Sequence, residues 1–197
     1  KKKFFEVELP LINSSIKLNA FKLEQIDKRY IKLDLTRMLK GKSIEATFRV
    51  DVKDEKAIGT PIKMQLFGFF IRRMMRKSTS YVEDSFLAEG SDAIFRIKTF
   101  MITRKKVTRA VRKALRNKAK EYVLGYLKDK DAEVLFGDVI DNKLQKSLSV
   151  ILKKVYPLAL CEIRAIEVEE EKEKVKVEKV EDKKEEKVEE IGDEKIK

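Results

Sequence analysis

Between Thr103 and Lys120 the chain reads "TRKKVTRAVRKALRNKAK", nine lysines or arginines without a single acid. A soluble surface helix intersperses charges of both signs, so a run this one-sided repels itself unless a polyanion relieves it. The chemistry such residues perform is phosphate recognition. Arginine offers a planar fork that matches a pair of phosphate oxygens, and lysine adds a compact positive charge. Two further clusters have the same character: Arg72, Arg73, Arg76 and Lys77 within "FFIRRMMRK", and Lys1, Lys2 and Lys3 at the start. The binding candidates are therefore Lys1, Lys2, Lys3, Arg72, Arg73, Arg76, Lys77, Arg104, Lys105, Lys106, Arg109, Arg112, Lys113, Arg116 and Lys120. Arg72, Arg76, Arg109, Arg112 and Arg116 are the expected anchors.

Other site chemistries find little support. There is no histidine, which removes the commonest metal ligand and general base. The lone Cys161 cannot make an internal disulfide and reads as a small buried hydrophobe beside Ile163. "GKS" at Gly41–Ser43 resembles the end of a phosphate-binding loop, but Thr36 stands where that loop needs glycine. The acids of "DVKDE" and "DKDAE" are of the kind that hold Mg²⁺, yet each cluster falls in an expected turn beside competing lysines. No metal and no cofactor is expected.

The elements that must position the basic residues follow from hydrophobic period. "RYIKLDL" and "IEATFRVDV" alternate apolar and polar positions, as half-buried strands do. "KDEKAIGTP" reads as a turn into the strand "IKMQLFGF", and "SFLAEGSDAIFRIKTFMI" as a hairpin turning at "EGSD", where Gly90 supplies a positive φ. "FFIRRMMRK" reads as a short helix with Phe70, Ile71, Met74 and Met75 on one side and its four cations on the other. From Thr103 to about Leu127 the period predicts a longer helix. Lys105, Arg109, Arg112, Arg116 and Lys120 form its basic stripe, while Val107, Val111, Ala114, Leu115 and Tyr122 face the core. "KLQKSLSVILKKV" predicts another helix with Leu144, Leu148, Ile151, Leu152 and Val155 inward, ended by Pro157; "LCEIRAIEVE" then alternates as a last strand. The opening "KKKFFEVELPLI" reads as an extended arm rather than a signal peptide, because Glu6, Glu8 and Pro10 interrupt it. The fold class expected is α+β: an antiparallel sheet or small barrel in the N-terminal half, packed with basic amphipathic helices and a final strand.

Charge divides the chain in two. The 197 residues carry a formal +12, but Glu169–Lys197 holds 13 acids and 9 bases, leaving 37 bases and 21 acids, or +16, in the rest. Residues 1–168 are expected to be one RNA-binding domain. Residues 169–197, rich in Glu, Lys and Val, form a tail too polar to offset its ordering entropy, expected to be disordered or transiently helical. Nucleic acid is favoured over a membrane because the apolar helix faces are needed against the sheet, and the longest near-apolar run is too short to span a bilayer.

The order "KFFEVELP", "DLTRML", "FGFFIRRMMRKSTSYVED", "FRIKTFMITRKKVTRAVRKAL" and "KKVYPLALCEIRAIEVE" resembles the archaeal and eukaryotic small-subunit ribosomal proteins of the S-three-A (e-type S-one) family over about residues 1–168. That resemblance implies a structural constituent of the cytoplasmic small subunit, on its platform near the messenger exit. Its implied partners are small-subunit rRNA, neighbouring ribosomal proteins and messenger near the exit, with no enzymatic activity. It implies RNA contact by the cations of the two basic segments named above. The chain departs from the family in a short stretch between Pro10 and Tyr30, in Phe4 and Phe5 where tryptophan is often seen, and in Ala159 and Leu160 where arginines are usual. Two other readings remain at this level: a Mg²⁺-dependent RNA-processing enzyme using Asp51 and Asp54, and a free regulator binding DNA or RNA.

Overall fold

A computed structural model describes residues 1–39, 42–53, 56–128 and 130–171. The chain runs β1 (Lys3–Leu9), β2 (Ser14–Ala20), β3 (Tyr30–Asp34), β4 (Ile44–Lys53), β5 (Lys56–Leu66), α1 (Gly68–Met74), β6 (Tyr81–Glu89), β7 (Ala93–Thr103), α2 (Arg109–Leu127), α3 (Ala132–Ile140), α4 (Lys143–Lys153) and β8 (Leu158–Glu171). All eight strands join one sheet, antiparallel except where β1 runs parallel to β5. This is the expected α+β class.

β5 organises the sheet. One edge pairs with β4 along its whole length; the other takes β1 at Ala57 and Ile58 and β8 at Lys63, Met64 and Gln65. The last strand thus enters the middle of the sheet, between β5 and β7. Its alternating Cys161, Ile163 and Ala165 are buried, as half-buried strand positions should be. Three register shifts between β7 and β8 bend this central pair and raise its twist.

α2, α3 and α4 cover the sheet: α2 packs on β6 and α4, α4 on β8, and α3 on β5. One contiguous core results, with Phe48, Phe95, Phe100 and Phe136 fully inside it. Phe95 meets Phe136 edge-on at 6.5 Å, joining sheet to helix layer. The buried stripe of α2 is Leu115, Ala119, Val123 and Leu127, a strict i, i+4 repeat. Each buried leucine contributes about 1.5–3 kcal/mol, which offsets the crowding of cations on the opposite face. No helix among the described residues is long and apolar enough to cross a membrane.

Several expectations are corrected by pairing that local pattern does not reveal. The N-terminal arm is strand β1, hairpinned with β2 inside the short segment after Pro10. "KAIGTP" is strand rather than turn: β5 begins at Lys56, and Pro61 is accommodated opposite Phe48 beside a bulge. Within "DKDAE", expected as a turn, the chain already starts α3: Asp131 takes its N-cap position and Glu133 its first turn. Gly90 does not take a positive φ. It is required because a Cβ there would lie 2.7 Å from a Phe95 ring carbon and 3.1 Å from the Lys130 carbonyl. Ala114 and Val155 face solvent, not the core. The strand β8 continues through Glu171; residues 172–197, most of the expected tail, lie outside the described residues, as do Gly41 and Asp54.

Candidate nucleic-acid interface

The basic segments take shape around one pair of residues. β7 ends at Thr103, which is fully buried, and β6 is preceded by Ser80. The Thr103 amide donates to the Ser80 carbonyl at 2.9 Å, and the Ser80 amide donates to Thr103 Oγ1 at 3.1 Å. The Thr103 hydroxyl reaches the Lys105 carbonyl at 2.7 Å and the Ser80 carbonyl at 3.0 Å. Ser80 Oγ accepts the Val107 amide at 3.2 Å, and the Arg104 amide donates to the Pro157 carbonyl at 3.3 Å. Two loops, Arg76–Ser80 and Arg104–Thr108, are therefore fastened side by side.

This pinning corrects two sequence expectations. The long helix begins at Arg109 and not at Thr103, because Thr103 completes the β7 ladder against β8 and the chain must bend before it can coil. Arg104, Lys105 and Lys106 are consequently exposed loop residues. The short helix ends at Met74, since Met75 is extended and Thr79 takes the Arg76 carbonyl with both its amide (3.2 Å) and its hydroxyl (2.8 Å). Arg76 and Lys77 are exposed in the turn that follows; Arg72 and Arg73 remain on α1, with Arg73 over the Phe70 ring at 5.4 Å.

Strand register shows which candidates share a surface. Thr103 pairs with Leu158 and Ile102 with Tyr81, at the end of the sheet where β5 runs out into α1. Arg72, Arg73, Arg76, Lys77, Arg104, Lys105, Lys106 and the start of α2 accordingly gather at that end. Lys1, Lys2 and Lys3 do not join them: β1 meets β5 only at the beginning of β5, so its N-terminus lies at the opposite end. There Lys2 stands 5.7 Å from the centre of the Phe21 ring. Lys120 is exposed midway along α2, beside Lys118, which pairs with Glu121 at 3.0 Å.

The electrostatics of the gathered end are unbalanced. Among the described residues, none of its candidate cations forms an ion pair with a carboxylate. α2 opens with no acid in its first turn, so Arg109 and Arg112 oppose the positive end of the helix dipole. A sequence shaped only for stability would place acids there. Arg109 and Lys113 are exposed, whereas Arg112 and Arg116 are half-buried.

Sequence reasoning missed two neighbours of this surface. α4 carries Lys146, Lys153 and, just beyond its end, Lys154, all exposed and without an ion pair among the described residues. Lys146 and Lys153 border a cleft of about 580 Å³ that Phe70 and Cys161 also line, placing them at the same end of the sheet. The acid-free run "KLQKSLSVILKK" was a signal in the sequence, read there for its apolar face alone. Tyr81, at the start of β6, was overlooked because a single tyrosine in a strand has no pattern.

Asp51, which the alternative enzyme reading would use to hold Mg²⁺, accepts hydrogen bonds from Arg49 Nε at 3.1 Å and Thr60 Oγ1 at 2.9 Å. Among the described residues no group of three or more potential metal-ligating side chains occurs.

Residues 1–172 match the sequence model of the Ribosomal S3Ae family. The chain belongs to the Ribosomal S3Ae family. Its archaeal relatives in that family include the small ribosomal subunit protein eS1 of Nanoarchaeum equitans, 24% identical over 178 residues that make up 86% of this chain and 89% of the relative. The eS1 protein of Pyrobaculum aerophilum is 25% identical over 175 residues, 85% of this chain and 79% of its own length. That of Halorubrum lacusprofundi is 26% identical over 138 residues, 69% of this chain and 64% of its own. The S3Ae match ends one residue past β8, so it takes in the whole described fold and both fastened loops.

Proposed function

We propose that this chain is a structural constituent of the small ribosomal subunit, with no catalytic role, and that it holds small-subunit rRNA through the basic end of its sheet. The observation that carries the reading is the fastening of two cationic loops by Thr103 and Ser80 with no carboxylate among the described residues to neutralise them. Like charges held together cost free energy unless counter-charge arrives, and a phosphodiester chain supplies it at regular spacing. Membership in a ribosomal family supports rRNA as the source of those phosphates. Within the cytoplasmic subunit we assign the chain to the platform near the messenger exit, where neighbouring ribosomal proteins and messenger are its other contacts.

The test is incorporation. A variant carrying R104E, K105E, K106E and R109E changes exposed residues only, so circular dichroism should match the parent. On a sucrose gradient of cell extract the parent should travel with the small subunit and the variant should stay at the top. A variant that sediments with the subunit as the parent does would remove this face from the function.

A further inference from the structure

Arg112 and Arg116, one turn apart on α2, line an open recess of about 390 Å³ with Thr79, Ser80, Tyr81 and Glu83. Both arginines are half-buried, and Arg112 Nε is closed off from solvent with no hydrogen-bond partner. The one carboxylate of the recess, Glu83, pairs with Arg164 at 2.8 Å and forms no ion pair with Arg112 or Arg116. Partly desolvated guanidinium groups without a counter-charge are costly, so two of them in one recess call for an anion from outside. Tyr81 identifies what accompanies that anion. It stands at the recess on β6, an edge strand, with 58% of its surface exposed, where an aromatic ring is free to stack.

We propose that this recess receives one unpaired nucleotide of the RNA, its phosphate on Arg112 and Arg116 and its base stacked on Tyr81. This rests on the rRNA-binding reading and adds to it a preference. A base held inside a duplex is stacked on both faces and cannot offer one to Tyr81, whereas a bulged or single-stranded base can. An acidic protein segment would satisfy the arginines but would leave the ring without a partner of matching shape.

The test compares the full-length protein with Y81A and Y81F on three probes: a perfect RNA duplex, the same duplex with one bulged adenosine, and a single-stranded oligoadenylate. Y81A should lose roughly 5- to 140-fold in affinity for the bulged and single-stranded probes, the range of one base–aromatic stack, and nothing for the perfect duplex. Y81F should bind like the parent. A 2-aminopurine at the bulge should be quenched by the parent and not by Y81A. Equal losses on all three probes, or no loss on any, would overturn the nucleotide assignment while leaving phosphate binding in place. Displacement of the bulged probe by polyglutamate equally from parent and Y81A would reassign the recess to an acidic segment. Absence of salt-dependent RNA binding by the parent itself would instead bring down the broader reading, and this one with it.

Discussion

Thr103 and Ser80, 23 positions apart in sequence, exchange main-chain and side-chain hydrogen bonds at the end of the β6–β7 ladder. Two lengths of basic loop leave from that junction, one on each side. Their mutual repulsion is borne by five hydrogen bonds made by Thr103 and Ser80, not by any carboxylate among the described residues. The loops are therefore presented at fixed spacing before a ligand arrives, which lowers the ordering cost of binding.

Removing the Thr103 hydroxyl should separate stability from charge. T103V leaves Ser80 N–H without its acceptor and the Lys105 carbonyl without its donor, at a cost of about 1–3 kcal/mol in urea denaturation. RNA affinity should fall although no cation is lost. T103S should restore most of both. Full RNA affinity in T103V would mean that the junction does not position the loops.

The placement of the cations predicts unequal salt effects. Replacing Arg104, Lys105 and Lys106 by alanine should reduce the slope of log K against log salt by about 2.7 if each meets one duplex phosphate. Replacing Lys1, Lys2 and Lys3 in the same way should leave the slope nearly unchanged, since they lie at the other end of the sheet. Equal reductions in a filter-binding titration would show that the two ends share one ligand.

Asp138 ties α3 to the end of α2. It accepts from Tyr126 Oη at 2.8 Å and from Lys130, with Lys143 at 3.6 Å. Burial pushes its carboxyl up, but the hydrogen bonds from Lys130 and Tyr126 and the charges of Lys130 and Lys143 outweigh it, leaving its pKa below the ordinary 3.8. A depressed folded pKa gives stability that is present above the unfolded value and lost as pH falls through the folded one. D138N should thus be less stable than the parent by about 1–3 kcal/mol at pH 7, with the gap closing below pH 3.8. A gap that stays constant down to the acid limit would show that the carboxylate charge is not its source.

Cys161, a buried position of β8 opposite Met101 of β7, has its thiol pushed up to about 12 by that burial. Only a trace of thiolate exists at pH 8, so iodoacetamide should label the folded protein far more slowly than the urea-unfolded chain. Comparable rates in the two states would place the thiol at the surface.

Much of the fold was legible in local pattern. Alternation marked β3, β4, the β6–β7 hairpin and β8, and the change of period marked α2 and α4, because side-chain direction repeats along each element whatever its neighbours are. Composition alone concentrated the positive charge in the folded part and named the cations that gather at one end. What the tertiary structure decided was every relation across distance: that β1 pairs in parallel with β5, that β8 enters between β5 and β7, and that α2 waits until Arg109 to begin. It also separated Lys1–Lys3 from the other cations and turned Arg112, Arg116 and Tyr81 into the walls of one recess. The reason is physical. Period and charge are carried by residues next to one another in the chain, whereas strand pairing and the Thr103–Ser80 junction are contacts whose partners no local spacing reveals.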